Sequence, residues 1–102
     1  MLAFCWAHVR RKFFGLAATS PVATEVLRRI ALLYAVEDEV RRLLPEQRRA
    51  TRIARSRIIV DDLRLYLDAP LRQVSTKSKL GEAIHYALAR WDGLTRFVDN
   101  GA

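Results

Sequence analysis

The chemically richest stretch of this sequence is segment 5–14, near the amino terminus. It contains a thiol at Cys5, an imidazole at His8, three consecutive cations and three aromatic rings. Cys5 and His8 have the spacing of half a zinc site, but a structural zinc ion takes four ligands and the other histidine, His85, lies far along the chain. A thiol nucleophile would need an orienting third group and an oxyanion hole, which the sequence does not supply. We therefore expect neither chemistry and interpret Cys5 as a buried structural residue.

The acidic residues form no recognisable catalytic group either. Asp61 and Asp62 are adjacent, so on a helix their side chains point about 100° apart and do not converge on one metal. The acids at 37–39 fall between arginines at helical spacing, which predicts surface ion pairs. There is no glycine-rich phosphate loop, nucleophile elbow or set of aspartates spaced for two metals. We predict no catalytic, cofactor-binding or metal-binding residue and no small-molecule substrate for this chain.

The cations are the remaining candidates for function. The net charge is +7, and 15 of the 18 basic residues are arginine. The planar guanidinium fork suits phosphate oxygens, and phosphate contacts position a protein on DNA without reading its sequence. The alternative is a solvated surface that reflects composition alone. No helix-turn-helix is evident. Candidate phosphate contacts come from two basic clusters: Arg10, Arg11, Lys12, Arg48, Arg52 and Arg55.

Four helical stretches must position these residues. Apolar residues repeat every three or four positions, and Pro21, Pro45 and Pro70 punctuate the pattern. Ser20 is the expected N-cap of the second helix, and Pro70 predicts a break at 68–69. The apolar residues 2–6 could instead form the end of a strand. The predicted helices are 4–18, 21–44, 46–68 and 78–99.

These elements predict an all-α protein, an antiparallel bundle of about four helices of which two or three are long. Its length fits one domain, residues 1–102. No apolar run approaches the ~18 residues that span a membrane. The single cysteine allows no intrachain disulfide, so we expect a cytoplasmic protein.

The motifs also carry a family resemblance. Cys-Trp-Ala-His-Val-Arg-Arg-Lys-Phe-Phe at 5–14 resembles the hallmark of transposases of the insertion-sequence-sixty-six type. The resemblance continues in the same order through most of the chain, at 20–21, 30–34, 55–57, 77–78, 86–91 and 94–97. In that family the hallmark follows the second catalytic aspartate of a ribonuclease-H-like core.

The resemblance implies where this chain sits in a transposase. The family's helical region lies between the second catalytic aspartate and a final glutamate in an Asp-Asn-Asn-x-x-Glu-Arg segment. The resemblance implies that the chain corresponds to the helical insertion and that Asp99-Asn100 precedes the glutamate segment. The resemblance implies that the three catalytic acids and their divalent metals belong to the full-length enzyme. We expect a fragment that is inactive alone, in a bacterial cytoplasm and associated with the nucleoid if it binds DNA.

Two activities without catalysis follow as expectations. One is non-specific DNA binding through the two basic clusters. The other is self-association, because the parent's catalytic core would cover one side of the insertion. In its absence we expect Trp6, Phe13 or Phe14 to lack partners and to mediate a homo-oligomer.

Overall fold

The structure, a computed structural model, describes the backbone of residues 4–99 and the side chains of residues 6–99. This part of the chain is helical and contains no strand, which confirms the all-α prediction. The residues from Phe4 onward are helical, so the described part of the 2–6 stretch is not a strand. The side chain of Cys5 and residues 100–102 lie outside the described part. The α-helices are α1 (Phe4–Phe14), α2 (Pro21–Val40), α3 (Pro45–Thr51), α4 (Arg57–Asp68), α5 (Lys79–Ala89) and α6 (Trp91–Thr95).

Helix α2 begins at the signals that the sequence contains. The Ser20 hydroxyl accepts a hydrogen bond from the Ala23 amide at 3.1 Å, and Pro21 occupies the first helical turn. Its buried stripe consists of Ala23, Val26, Ile30, Leu33, Val36 and Val40. The helix ends at Val40, four residues before the predicted end at 44. Leu44 is extended ahead of Pro45, since proline disfavours a helical conformation in the residue before it.

The third helical stretch is continuous but not uniform. A π-helical segment, Arg52–Ser56, lies between α3 and α4. α4 ends at Asp68, and Pro70–Arg72 forms a 3-10 turn. A proline lacks the amide proton that would continue the helix, which accounts for the change at this point.

The fourth stretch is divided at Arg90. Ser78 caps α5 by accepting from the Gly81 amide at 3.0 Å. Gly81 is needed here because a Cβ atom would collide with the Ser75 carbonyl oxygen. The predicted helix 78–99 becomes α5, then α6, then a 3-10 segment, Arg96–Asp99. This differs from a single helix, because Arg90 leaves the helical conformation.

The core joins α1 to the rest of the chain. α1 packs against α2, α5 and α6, and α2 packs against α4. The Trp6 indole nitrogen donates to the Leu94 carbonyl at 2.8 Å, and its ring meets Trp91 edge to face with centroids 5.9 Å apart. Val9 and Phe13 continue the same buried face of α1.

This burial corrects one expectation. Trp6 and Phe13 are buried against the chain's own helices, with 2% and 0% of their surface exposed. The expectation that they lack partners was therefore wrong. They lie seven residues apart and therefore on one helix face. Phe14 is turned about 100° from Phe13 and is 62% exposed. Within residues 4–99, no helix is both long and apolar enough to cross a membrane.

Candidate nucleic-acid interface

Arg52 is buried inside the protein. Its guanidinium donates to both carboxylate oxygens of Glu37 on α2, at 2.8 and 2.7 Å, and only 3% of its side chain is exposed. The guanidinium carbon also lies 5.9 Å from the centre of the Phe97 ring. The prediction that Arg52 contacts DNA phosphates was therefore wrong, because almost none of its side chain faces solvent.

The carboxylate of Glu37 is held in its charged form. Burial alone would raise its pKa, but hydrogen bonds and positive charges, of which the Arg52 hydrogen bond is the largest, together leave the pKa below its usual value. The pair therefore joins α2 to the π-helical segment as two opposite charges. Because both groups are largely shielded from water, either one alone would be costly to bury.

The other arginines of this stretch also have internal partners. Arg55 pairs through both guanidinium nitrogens with Glu39, and both side chains are about half exposed. Arg48 donates to the Leu43 carbonyl at 2.8 Å. Arg57 donates to the carboxylate of Asp99 at 3.2 Å, and Arg49 donates to the backbone carbonyl of Asp99 at 3.0 Å. Arg48 and Arg55 thus remain partly accessible, but they are already engaged.

The cations of α1 differ from these arginines. Arg10, Arg11 and Lys12 are exposed, and within residues 4–99 none of them forms an ion pair with a carboxylate. Arg10 lies over the ring of Phe14, with 5.5 Å from guanidinium carbon to ring centre. Three adjacent positive charges therefore stay at the surface, and their contact with DNA remains a prediction.

Tyr86 extends this basic surface to α5. The Lys12 ammonium lies 4.4 Å from the centre of the Tyr86 ring, and the Arg90 guanidinium carbon lies 3.8 Å from it. Arg90 also donates to the Tyr86 carbonyl at 3.2 Å. Cation–ring contact holds these side chains together without neutralising them. Tyr86 and Arg90 belong to the resemblance at 86–91, but the sequence did not identify them as site residues, because the helix packing that brings α5 to α1 is not a local pattern.

A groove lies beside the α1 cations. It has a volume of about 550 Å³ and is lined by Ala7, Arg10, Arg11 and Phe14 from α1 and by Tyr34 from α2. Among the described residues, no acidic side chain lines it. Sequence reasoning missed Tyr34 as a site residue. Its partial exposure beside α1 depends on how the two helices cross.

Comparison with known proteins assigns the chain to a family. All 102 residues, 1–102, match the family model described as Transposase IS66 family. The chain belongs to this transposase family. The resemblance carried by segment 5–14 is therefore confirmed.

The IS66-family chain has curated relatives in Sinorhizobium fredii (strain NBRC 101917 / NGR234). It is 40% identical over 102 residues to the uncharacterized protein y4jD and 42% identical over 102 residues to the uncharacterized protein y4qI, each alignment covering 98% of the chain. The chain spans 20% and 19% of those relatives, about a fifth of their length. No solved structure matches it.

The structure describes the side chains of residues 6–99, which include both histidines and all 11 acidic residues of the chain. Among these residues of the IS66-family chain, no three histidine, cysteine or acidic side chains lie close enough together to hold a metal ion. Asp61 and Asp62 are both exposed on α4. The described residues therefore offer no ligand set for a divalent metal, and the described site is one of cations and aromatic rings.

Proposed function

We propose that this chain is the helical insertion of an IS66-family DDE transposase and that α1 supplies contacts to DNA. The observation that carries the proposal is the family match over the whole chain, combined with a span of about a fifth of the relatives. The catalytic acids and their metals would lie in other parts of the full-length protein. On this proposal the chain positions DNA and does not cut it.

The charge distribution supports α1 as the contact surface. Its three cations are exposed and lie outside carboxylate pairs in the described part of the chain, whereas those of the third helical stretch are engaged. Only a cation that can exchange its counterions for a phosphate adds to non-specific DNA affinity. Binding of this kind would bring the protein to the bacterial nucleoid.

The helix arrangement that we propose is an antiparallel bundle. Two contacts between α2 and the third helical stretch support it: Glu37 meets Arg52, while Arg29 lies 4.7 Å from the centre of the Tyr66 ring. The partner number rises as the α2 number falls, as it does between antiparallel helices. Such a scaffold would hold α1 at a fixed angle to the DNA.

A binding assay with duplex DNA tests the α1 surface. Duplex affinity should fall steeply with salt, and the variant R10A/R11A/K12A should lose most of this dependence, since each lost phosphate contact lowers the slope by about 1. The matched control is R28A/R41A/R64A, which also removes three positive charges but from exposed pairs with Glu25, Asp38 and Asp68. Equal losses in both variants would show that net charge alone drives binding, against the proposal.

A cleavage assay tests the assignment as an insertion. With divalent metal and terminal-repeat DNA, we expect the 102-residue chain to produce no cut strand. Metal-dependent cutting by the chain itself would contradict the proposal, because it would require an active site within these residues.

Self-association is the second candidate function. Phe14, Ile58 and Leu65 are 62%, 60% and 70% exposed, and Ile58 and Leu65 share one face of α4 because they are seven residues apart. We propose a homo-oligomer that covers Ile58 and Leu65. Sedimentation velocity should then show association that rises with concentration and falls in I58D/L65D. A monomer at every concentration would rule the oligomer out.

A further inference from the structure

The groove between α1 and α2 presents an aromatic ring and two guanidinium groups side by side. Phe14 is 62% exposed, and Arg10 lies over its ring at 5.5 Å. Tyr34 lines the groove from α2. The volume of about 550 Å³ falls within the roughly 300–1,000 Å³ range of sites that hold small ligands or single ligand groups.

Within residues 4–99, the polar side-chain groups of this groove have no hydrogen-bond partner. Arg10 and Arg11 have neither a carboxylate nor a carbonyl partner there, and the Tyr34 hydroxyl makes no hydrogen bond to another described residue. Elsewhere in the chain, Arg48, Arg52 and Arg55 all have such partners. The groove therefore offers guanidinium donors without carboxylate partners next to an exposed ring that Arg10 contacts from one side.

This combination matches the chemistry of a nucleotide. Bases of any sequence stack on aromatic side chains, and guanidinium groups pair with phosphate oxygens. In a duplex, neighbouring base pairs cover both faces of each base, so only phosphates remain for such a surface. An unpaired nucleotide can offer a base face and a phosphate together.

We propose that the groove binds an unpaired nucleotide of single-stranded DNA. The base stacks on Phe14, and the flanking phosphates pair with Arg10 and Arg11. The inference rests on the proposed DNA contact by α1 and adds the kind of DNA that it prefers. A helix of a protein partner is the competing occupant, but the cations and the absence of an acidic lining favour a polyanion.

The test compares one labelled strand, alone and annealed to its complement, by fluorescence anisotropy with the 102-residue chain. We expect the single strand to bind more tightly than the duplex. Phe14→Ala should weaken single-strand binding by about 5- to 140-fold, the range expected for one stacked base, and leave duplex binding unchanged. Phe14→Trp should keep the preference, whereas Phe14→Leu, which has apolar bulk but no flat ring, should behave like Phe14→Ala.

Leu44→Ala is the matched control, because Leu44 is 67% exposed and does not line the groove. Phe14 is exposed, so its substitutions should preserve the helical circular dichroism. Duplex binding without a single-strand preference, or Phe14→Leu binding like the unsubstituted chain, would overturn this inference but leave the proposed DNA contact intact. Undetectable binding of either form at low salt would overturn both.

Discussion

The two basic clusters of this chain have similar composition but different surroundings. Arg10, Arg11 and Lys12 on α1 face solvent, and within residues 4–99 no carboxylate pairs with them. In the stretch 48–57, arginines reach carboxylates or backbone carbonyls, and Arg52 is buried. The difference shows that arginine density does not by itself identify a phosphate-binding surface.

The neighbouring helix explains the difference. The α2 acids Glu37 and Glu39 face the stretch 48–57 and neutralise Arg52 and Arg55. Where α1 meets α2, the groove is lined by Tyr34, and no acid is among its described lining residues. The same helix therefore engages Arg52 and Arg55 of the stretch 48–57 in intramolecular ion pairs and leaves the α1 cations available for an external anion.

The largest expected effect comes from breaking the buried pair. Glu37→Ala should lower the free energy of unfolding by roughly 3–5 kcal/mol, because Arg52 would keep its buried charge without this carboxylate. That is a large share of the roughly 5–15 kcal/mol typical of a whole domain. Urea denaturation followed by circular dichroism measures it.

The control for this prediction is Glu39→Ala, which removes the acid from an exposed pair and should cost at most about 1 kcal/mol. The double variant E37L/R52M should recover much of the loss, since it removes both charges and keeps apolar volume. Similar losses for the two single variants would mean that burial does not distinguish the two clusters.

The next effect concerns the DNA-binding side of the comparison. R10A/R11A should lower the salt dependence of duplex binding by about 2 in slope, because each phosphate contact contributes about 0.9. R48A/R55A removes the same charge and should change the slope by less than half as much. A slope change that is equal in the two variants would contradict the division of the clusters.

Much of the helical framework could be predicted from the sequence. Ser20 and Pro21 mark the start of α2, and Pro70 marks the end of α4, because each acts on its own turn of backbone. The interruption at Arg90 carried no such signal and was missed. Helix ends could therefore be predicted where a capping residue or a proline acts on the adjacent backbone.

The candidate site was less predictable because exposure depends on packing between helices. Arg52 did carry a usable signal: it precedes Ser56 by four residues, and Ser56 precedes Val60 by four, so all three lie on the buried stripe of that stretch. Trp6 and Phe13 likewise lie on the apolar stripe of α1. Tyr34 had no comparable signal, since its role depends on where α1 crosses α2.

Low pH should weaken the buried ion pair between Glu37 and Arg52 and so lower the stability of the chain. The pKa of Glu37 is lowered in the folded state, so its contribution to stability is present above the ordinary value of 4.5 and is lost as the pH falls through the folded value. The chain should therefore unfold at lower urea concentration as the pH drops below about 4.5. Glu37→Gln should give a flatter curve in this range, because the amide does not titrate. An unchanged curve would place the acid sensitivity elsewhere, for example at Glu25, whose pKa is lowered to about 2 mainly by its hydrogen bond to Arg28.

The smallest expected effect comes from removing the carboxylate that pairs with Arg55. Glu39→Gln removes the charge that engages Arg55, and both side chains are about half exposed, so stability should change by at most about 1 kcal/mol. If pairing is what withholds Arg55 from DNA, the salt slope of duplex binding should increase by up to about 1. Asp38→Asn is the matched control, because it makes the same change in charge and frees Arg41, which follows the carboxyl end of α2 and does not line the groove. An unchanged slope in Glu39→Gln would mean that the position of Arg55, and not its partner, separates the two clusters. The comparison would then rest on helix geometry alone.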